Sequence, residues 1–353
     1  MYNIGIVGYG SMASWHAKFI AEHSKMNLKG VFDTNPERNK CAEDRGYFVY
    51  SSEDALLNDN EIDAIIIATT NEVHKRLSIE AMAAGKHVIC EKPVALNSAE
   101  LQEMIDASKK YNRIFTINQN RRTNKDFLFM RQKYEEGVIG DVYIIESRVQ
   151  GSRGIPKGWR TQKELGGGMM LDWGVHLIDQ ILYMIDQKVV RVHCNMYNVE
   201  QPRVDDNFRL TLMFENNLTA IIEVSTNTYI PLPRWYLLGK NGTLKIDDWD
   251  GGGKIIRNIK KENVWDEEVA ITSAGHTKTM APRDKSTTEE IVIAPPADNG
   301  AVSDLFVVYD QFVAAIEGEA ALSITPKQAM RVMKVIDAAF LSHETGNVIK
   351  VNI

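Results

Sequence analysis

The residue types best suited to acid–base chemistry fall in residues 166–179, a glycine-rich segment with the sequence GGGMMLDWGVHLID. Asp172 and His176 are four residues apart, and side chains at this spacing share one face of a helix. Imidazole suits proton transfer because its reference pKa is about 6.5, and an adjacent carboxylate favours its charged form and fixes its orientation. The glycine run lets the backbone approach a ligand closely. Two solvent-exposed residues on one helix can have the same spacing, so the Asp172–His176 pair alone does not establish a site.

A second candidate element, Glu91-Lys92-Pro93, comes directly after a predicted strand, residues 87–90. Ligands bind at the carboxyl ends of strands in open α/β sheets. Oxidation of a hydroxyl needs a base that takes the proton while a hydride leaves the same carbon, and a cation or donor that holds the oxygen. Lys92 and His176 would supply these two groups. A charged strand end stopped by proline is the alternative interpretation of the tripeptide.

The strongest local signal is a GxGxxA pattern made by Gly8, Tyr9, Gly10, Ser11, Met12 and Ala13. Gly8 permits a tight turn, Gly10 lets the backbone approach a pyrophosphate, and the small Ala13 lets the helix pack close to the sheet. The N-terminus of that helix offers unpaired N–H groups to phosphates. Asp33 ends the next predicted strand, at the distance of about 20 residues where an acid binds the adenosine ribose. This order of strand, loop, helix, strand and acid predicts a dinucleotide site.

The residue type at position 33 also bears on the choice of dinucleotide. A carboxylate accepts hydrogen bonds from the ribose hydroxyls of NAD, but it repels the 2′-phosphate of NADP. Repulsion between two unit charges in contact reaches about 4 kcal/mol in a surface-like dielectric before screening. Asp33 therefore favours NAD and disfavours NADP. Arg38 is a nearby cation that could offset the repulsion, although a solvated helix residue is the simpler interpretation.

The first third of the chain must position these residues, and its pattern alternates strands with helices. Strands are predicted for residues 4–7, 28–32, 64–68, 87–90 and 114–117. Helices are predicted for a stretch ending near residue 22 and for residues 75–84 and 98–110, the last with Ser98 as N-cap. The continuously apolar run Ile65-Ile66-Ile67 is typical of a strand covered on both faces. We therefore expect a Rossmann domain, a doubly wound parallel sheet with right-handed crossovers.

The pattern changes after residue 122 to alternating strands joined by turn residues. Strands are predicted for residues 142–150, 189–196, 207–214, 218–225 and 235–238, with turns at residues 215–217 and 241–242. These imply an α+β domain with a large, mostly antiparallel open sheet. The polar segment 250–296 is interpreted as a surface excursion with two strands, and residues 303–317 and 326–343 as two amphipathic helices.

Length, charge and cysteine content limit the class of protein. At 353 residues the chain exceeds one compact core, and we expect a dinucleotide-binding domain in residues 1–122 and a substrate-binding and oligomerisation domain in residues 123–353. A net charge of −6 argues against a nucleic-acid partner, and no apolar run reaches the roughly 18 residues that cross a membrane. Three cysteines without metal-type spacing predict neither a disulfide framework nor a metal site. The chain enters a strand directly after Met1, without a basic leader, so we expect a cytoplasmic protein.

Taken together, these residues resemble the Gfo/Idh/MocA oxidoreductase family, the glucose–fructose oxidoreductase and inositol dehydrogenase type. The resemblance covers nearly the whole chain, with GYGSMA, Asp33, EKP and GGGMMLDWGVHLID in the family's order. Further matches are Ala68-Thr69-Thr70-Asn71 with His74, Arg121-Arg122, Gly158-Trp159-Arg160, and a tail signature within residues 309–339. The joint presence of EKP and DxGxHxxD is specific for this family.

The resemblance implies a role for each matching position. Lys92 would hold the reacting hydroxyl and stabilise negative charge on its oxygen, and His176 would be the general base in oxidation and the acid in reduction. Asp172 would orient the substrate and the base. The implied cofactor contacts are Gly8, Gly10, Ser11, Met12, Ala13, Asp33, Thr69, Thr70, Asn71, His74, Glu91, Lys92 and Asn120. The implied cofactor is NAD, and the family needs no metal.

The resemblance leaves more than one activity open. The leading expectation is an NAD-dependent dehydrogenase that oxidises a small polyol or sugar and forms a homodimer or homotetramer through its C-terminal sheet. The alternatives are a family-type glycosidase, in which tightly held NAD oxidises the sugar only transiently, and a non-enzymatic NAD-sensing protein. Trp235 and Tyr229 lie beside two prolines and are candidates for the sugar pocket, although aromatic residues more often belong to the core.

Overall fold

The computed structural model describes residues 1–260, 269–273, 275–277, 285–294 and 304–353. Within these ranges the strands are β1 (Tyr2–Val7), β2 (Met26–Phe32), β3 (Ala64–Ile67), β4 (His87–Cys90), β5 (Phe115–Ile117), β6 (Val142–Gln150), β7 (Val189–Tyr197), β8 (Asn207–Phe214), β9 (Thr219–Ser225), β10 (Trp235–Gly239), β11 (Gly242–Ile246), β12 (Gly253–Asn258), β13 (Ala270–Thr272), β14 (Gly275–Thr277), β15 (Thr288–Ile293) and β16 (Ile349–Lys350). The helices are α1 (Ser11–Glu22), α2 (Pro36–Glu43), α3 (Glu53–Leu57), α4 (His74–Ala83), α5 (Ser98–Tyr111), α6 (Lys125–Glu135), α7 (Val175–Met184), α8 (Asp304–Ile316) and α9 (Pro326–Thr345).

The N-terminal sheet confirms the predicted Rossmann arrangement. Its five strands are parallel, in the order β2-β1-β3-β4-β5. The chain moves to one side of β1 to form β2 and returns to the other side to form β3. In an open α/β sheet, ligands bind where the strand order reverses in this way. The carboxyl ends of β1 and β3 therefore mark the expected cofactor crevice.

Helices cover this sheet on both faces, as the apolar run in β3 predicted. Ile66 belongs to one core cluster with Tyr309 of α8, whereas Ile65 and Ile67 belong to a second cluster with Leu77 of α4. Successive strand side chains point to opposite faces, so a strand buried on both sides is apolar throughout. Because α8 comes from the far end of the chain, the core of the first sheet uses residues from both ends. The domain boundary at residues 122 and 123 stays a prediction.

The second sheet has nine strands in the order β15-β12-β11-β10-β6-β9-β8-β7-β16. Among the described strand pairs of this sheet, only β6–β9 is parallel, which confirms the large, mostly antiparallel sheet. Along β8 and β9, buried side chains alternate with partly or fully exposed ones, so one face of the sheet is covered. Helices α7 and α9 pack together, and α9 lies against β7.

Two local predictions were wrong. In the described part of segment 250–296 the structure is not a surface excursion with two strands, because β12 and β15 extend the nine-stranded sheet and β13 and β14 pair as a separate two-stranded sheet; the rest of the segment lies outside the described residues. Only Ile255 is buried in β12, so the strand carries little apolar periodicity. The N-cap of α5 is Asn97, whose side chain accepts a hydrogen bond from the backbone N–H of Glu100 at 2.9 Å. Asparagine and serine cap equally well, so the sequence alone did not place the helix start to the residue.

No helix in the described ranges is long and apolar enough to cross a membrane.

Candidate active site

The glycine loop between β1 and α1 has the geometry of a phosphate site. Gly8 has a φ of +89°, and a Cβ at this position would lie 2.5 Å from the backbone oxygen of Ala68. Gly10 is the N-cap of α1 and has no side chain that could accept a hydrogen bond. The first-turn N–H groups of the helix therefore have no side-chain cap and are available to a phosphate. Ala13 is fully buried, whereas Ser11 and Met12 are exposed in the first turn. These residues fit a dinucleotide pyrophosphate.

Asp33 lies at the end of β2, where a ribose-binding acid is expected. Its carboxylate accepts hydrogen bonds from the backbone N–H groups of Tyr9 and Asn35, both at 2.7 Å. The guanidinium of Arg38 lies 3.3 Å from the same carboxylate, and Arg38 is 53% exposed. Arg38 is therefore not only a solvated helix residue, since it lies directly beside the predicted ribose site.

The residues after β3 link the two parts of the site. Thr69 and Thr70 are partly exposed, whereas Asn71 is buried and its side-chain amide donates to the backbone oxygen of Gly166 at 2.8 Å. His74 is fully buried, and its ring hydrogen-bonds to the backbone oxygen of Pro93 at 2.8 Å. Burial lowers the pKa of His74. Asn71 therefore hydrogen-bonds to the glycine run, and His74 hydrogen-bonds to the EKP turn.

Glu91 is the centre of a buried hydrogen-bond network. Its Oε1 accepts from His16 Nε2 at 2.8 Å and from Asn118 Nδ2 at 2.7 Å, and its Oε2 accepts from the backbone N–H of Lys92 at 3.2 Å. Tyr309 lies 2.5 Å from the other ring nitrogen of His16. Burial opposes ionisation of Glu91, but the hydrogen bonds from His16 and Asn118 hold its pKa below the ordinary value. The network anchors the EKP turn to α1, β5 and α8.

Asn118 also carries a polar atom that the described protein residues leave unsatisfied. Its Oδ1 is buried, and no described residue donates to it. A buried acceptor without a partner costs free energy unless a ligand supplies the donor. Since Asn118 lies at the carboxyl end of β5, beside the expected crevice, this atom also fits a bound dinucleotide.

Lys92, which follows β4, and Asp172, in the glycine-rich segment before α7, form an ion pair. Lys92 Nζ lies 2.9 Å from Asp172 Oδ1 and 3.0 Å from the backbone oxygen of Asp172. Arg160 Nε donates to the second carboxylate oxygen at 2.9 Å. Burial would raise the pKa of Asp172, but the charges of Lys92 and Arg160 hold it below the ordinary value. Asp172 is thus an ionised carboxylate between two cations.

His176 lies in the first turn of α7, directly after a π-helical turn, Met170–Gly174. Its Nδ1 lies 3.2 Å from the side-chain oxygen of Gln119, and its ring packs against Trp173. Burial lowers the pKa of His176 well below its ordinary value, and the charges of Lys92 and Arg121 lower it further. The ring is therefore neutral near pH 7. The expectation that a carboxylate favours the charged imidazole was wrong, because the Asp172 carboxylate pairs with Lys92 and Arg160 instead.

Asp205 holds the start of the π-helical turn. Its carboxylate accepts a hydrogen bond from the backbone N–H of Met170 at 2.7 Å. Its backbone oxygen accepts one from the backbone N–H of Met169 at 2.9 Å. Gly168, with a φ of +105°, leaves no room for a Cβ beside this carboxylate. Burial raises the pKa of Asp205 to about 7.

Aromatic and guanidinium groups form a wall next to His176. Trp173 and Trp249 have ring centroids 5.7 Å apart, and the Arg121 guanidinium lies 4.2 Å from the Trp173 ring centroid. Trp249 comes from the turn between β11 and β12 and is 43% exposed. Trp235 is fully buried and donates to Asp126 at 2.9 Å, so it does not line a pocket. Tyr229 is 80% exposed in the loop after β9.

The structure also places the remaining predicted residues. Asn120 is partly exposed and begins a short 3-10 turn, in which its backbone oxygen accepts from Thr123. Arg122 forms a buried two-point ion pair with Asp179, with both distances 2.7 Å. Sequence reasoning missed Asn118, Gln119 and Trp249. The first two follow a strand of the parallel sheet, which is the signal that singled out Glu91-Lys92-Pro93.

Metal-type clusters and reactive thiols are not seen at the site. Within the described part of the chain, no three His, Cys, Asp or Glu residues come together as a metal site would require. Cys90 is fully buried, and burial raises the pKa of its thiol. Cys194 is also buried, and Cys41 is exposed.

Two family models match the chain in tandem. The model described as "Oxidoreductase family, NAD-binding Rossmann fold" matches residues 2–119. The model described as "GFO/IDH/MocA C-terminal domain" matches residues 127–245. The matched ranges correspond to the five-stranded sheet and to much of the nine-stranded sheet.

Known proteins resemble the chain over all or part of its length. The crystal structure of an NAD-binding protein from Listeria innocua shares 39% sequence identity, with a TM-score of 0.92 and 99% of each chain covered. The scyllo-inositol 2-dehydrogenase (NADP(+)) IolW of Bacillus subtilis (strain 168) is 26% identical over 343 residues, which is 96% of this chain and 93% of that protein. An uncharacterized oxidoreductase of Schizosaccharomyces pombe is 35% identical over 169 residues, and this alignment spans 46% of that protein, about half its length.

Proposed function

Because the chain belongs to the Gfo/Idh/MocA oxidoreductase family, we propose that it oxidises a secondary hydroxyl of a sugar or polyol with NAD as hydride acceptor. Family membership makes the chain an oxidoreductase with an NAD-binding Rossmann domain. The name of the Bacillus subtilis relative, an inositol dehydrogenase, supports the polyol class of substrate.

One observation carries the proposal: Lys92 from the first sheet reaches the segment that carries His176. Lys92 Nζ bonds to residue 172, one turn before His176, and its charge contributes to the low pKa of the imidazole. A cation and a neutral base thus converge from two different parts of the fold. Alcohol oxidation needs this pair of groups around one hydroxyl.

In this mechanism His176 takes the hydroxyl proton through Nε2. Its low pKa keeps it neutral near pH 7, so the lone pair is available. Lys92 donates to the hydroxyl oxygen and stabilises the negative charge that develops on it, while Asp172 holds the ammonium in place. A bound nicotinamide would supply the acceptor for the hydride that leaves the carbon. In reduction, protonated His176 returns the proton to the oxygen.

The choice of NAD over NADP is part of the proposal. Asp33 is buried, and two backbone N–H groups already hold its carboxylate in place. A 2′-phosphate would meet this carboxylate as a like charge. Arg38 lies at 3.3 Å and would offset part of the repulsion, so we expect a preference rather than strict selectivity.

We also propose that two or four copies assemble through the outward face of the nine-stranded sheet. The face opposite α7 and α9 carries apolar side chains between charged ones, among them Ile144, Ile221 and Leu238. A face of this kind, left partly exposed in one chain, fits a second copy of the same sheet. Light scattering coupled to gel filtration tests it, and a monomer at micromolar concentration would contradict it.

The enzymatic proposal is tested by NADH formation with a panel of inositols, aldoses and sugar acids. We compare the wild type with Lys92→Ala and, as a matched control, with Lys75→Ala, which removes a surface lysine on α4 that pairs with Glu103. Lys92→Ala should lower turnover by about 10²–10⁴-fold while NAD affinity stays nearly unchanged. Lys75→Ala should behave as the wild type. Equal turnover by Lys92→Ala and the wild type would contradict the proposal.

The same assay separates the alternative activities. A dehydrogenase accumulates NADH in proportion to product. A glycosidase that uses transient oxidation cleaves the sugar without net NADH. An NAD-sensing protein binds NAD in the wild type and in Lys92→Ala alike, and neither turns over any compound in the panel.

A further inference from the structure

Both oxygens of the Asp172 carboxylate are taken by cations. Oδ1 accepts from Lys92 Nζ and Oδ2 accepts from Arg160 Nε, each at 2.9 Å. A carboxylate can accept further hydrogen bonds, but charge-assisted bonds such as these two are the strong ones. They tie Asp172 to Lys92 and Arg160 and not to His176, which the sequence had led us to expect Asp172 to orient. The base must be oriented by another group.

That group is Gln119. Its side-chain oxygen lies 3.2 Å from His176 Nδ1, and Gln119 and His176 are only 2% and 4% exposed. An amide oxygen only accepts, so Nδ1 carries the proton and the lone pair lies on Nε2. Building on the proposed function, we propose that Gln119 is the positioning residue that sets the tautomer and orientation of His176, and that Asp172 serves Lys92 instead.

The backbone places Gln119 firmly. Gln119 follows β5, and its N–H donates to the backbone oxygen of Ile117 at 2.9 Å. The residue before it, Asn118, is tied to Glu91 at 2.7 Å, and the residues after it form the 3-10 turn Asn120–Thr123. The amide therefore approaches the imidazole from the carboxyl end of β5, where backbone and side-chain hydrogen bonds hold the neighbouring residues.

A neutral orienting group suits this electrostatic environment. Three cations, Lys92, Arg121 and Arg160, lie around the ring or its neighbour Asp172, while Asp179 on the same helix is paired with Arg122. A carboxylate at position 119 would favour the protonated ring and remove the base near pH 7. An amide fixes the geometry of the ring and leaves it neutral.

The experiment uses ¹⁵N-histidine labelling of the full chain without substrate, with two-bond ¹H–¹⁵N spectra to show which ring nitrogen of His176 carries the proton. The variants are Gln119→Leu, Gln119→Glu and the matched control Asp172→Asn. The wild type and Asp172→Asn should both protonate Nδ1. Gln119→Leu should show a mixture of tautomers, and Gln119→Glu should raise the pKa of His176 by about 1–3 pH units.

Kinetics on a substrate found in the panel give a second readout. Gln119→Leu should lower kcat by about 10–100-fold with little change in KM, because a residue that orients a functional side chain without touching the substrate contributes on this scale. Gln119→Glu should shift the acidic limb of the pH profile of kcat/KM to higher pH, by the same number of pH units as the pKa of His176 rises in the spectra. A structural role alone would not move that limb.

Two results would overturn the inference. One is a wild-type His176 that carries its proton on Nε2. The other is a Gln119→Leu variant in which His176 keeps the wild-type tautomer, whether or not the tautomer changes in Asp172→Asn. Because the spectra need no substrate, they decide the role of Gln119 even if the panel yields no turnover and the proposed function fails.

Discussion

Replacing Asp33 by serine should change which dinucleotide the protein prefers. Serine removes the negative charge but keeps a hydroxyl that can accept the hydrogen bond now given by Tyr9 or Asn35. Arg38 remains in place, released from its contact at 3.3 Å with the carboxylate. A 2′-phosphate would then meet a cation instead of an anion.

The size of the effect follows from the position of the two charges. A carboxylate and a phosphate in contact repel by about 4 kcal/mol in a surface-like dielectric and by about 1 kcal/mol in water. Arg38 is 53% exposed and lies within ion-pair distance, so it offsets part of this repulsion. We expect a net preference for NADH over NADPH of about 1–3 kcal/mol, or about 5- to 150-fold in Kd.

The assay is calorimetric titration of the protein with NADH and with NADPH, without substrate. Asp33→Ser should lose or reverse the preference, and Arg38→Ala should strengthen it, because the offsetting cation is gone. Asp44→Ser, which removes an exposed aspartate at the end of α2, is the matched control and should leave the Kd ratio unchanged. A wild type that binds NADPH as tightly as NADH, or an Asp33→Ser variant with the wild-type ratio, would refute the electrostatic reasoning.

Three further predictions concern stability and cofactor binding. Asp179→Asn leaves Arg122 buried without its carboxylate and should cost about 3–5 kcal/mol in urea unfolding, whereas a cost below about 1 kcal/mol would show that the pair is not a structural lock. The pKa of Asp205 is raised to about 7, so the folded state keeps a proton that the unfolded state loses, and stability falls as pH rises from about 4 to 7. The wild type should lose up to about 4 kcal/mol over that range relative to Asp205→Asn, and parallel pH profiles of unfolding would exclude it. Gly8→Ala should abolish NADH binding, since its Cβ would lie 2.5 Å from a backbone oxygen and its φ is +89°, and an unchanged Kd would contradict this.

Much of the fold could be predicted because its signals are local. The β3 run of isoleucines predicted a strand covered on both faces, and the structure confirms it with separate clusters on each side. The turn at Asn241-Gly242 was also correct, since β10 and β11 pair up to Gly239 and Gly242. Strands β12 and β15 were misinterpreted because each has a single buried residue, Ile255 and Ile293, which leaves little apolar periodicity to detect.

The candidate site could be predicted only in part. Lys92, Asp172 and His176 were singled out by residue type and by their resemblance to a family pattern, and the structure brings them together. Their pairing was not predictable, because it depends on how a π-helical turn presents Asp172 to cations from other elements. The residue roles, the oligomeric state, the domain boundary and the cytoplasmic location stay predictions.

By itself the sequence determined the five strands of the parallel sheet, the glycine loop and the acid after β2, because backbone freedom and side-chain periodicity act over a few residues. Only the tertiary structure decided the partner of each buried charge. Lys92 meets Asp172 across 80 residues of chain, and His16 meets Tyr309 across 293. Such contacts exist only once distant elements have packed, and they set the protonation state of His176 through burial and charge rather than through sequence spacing.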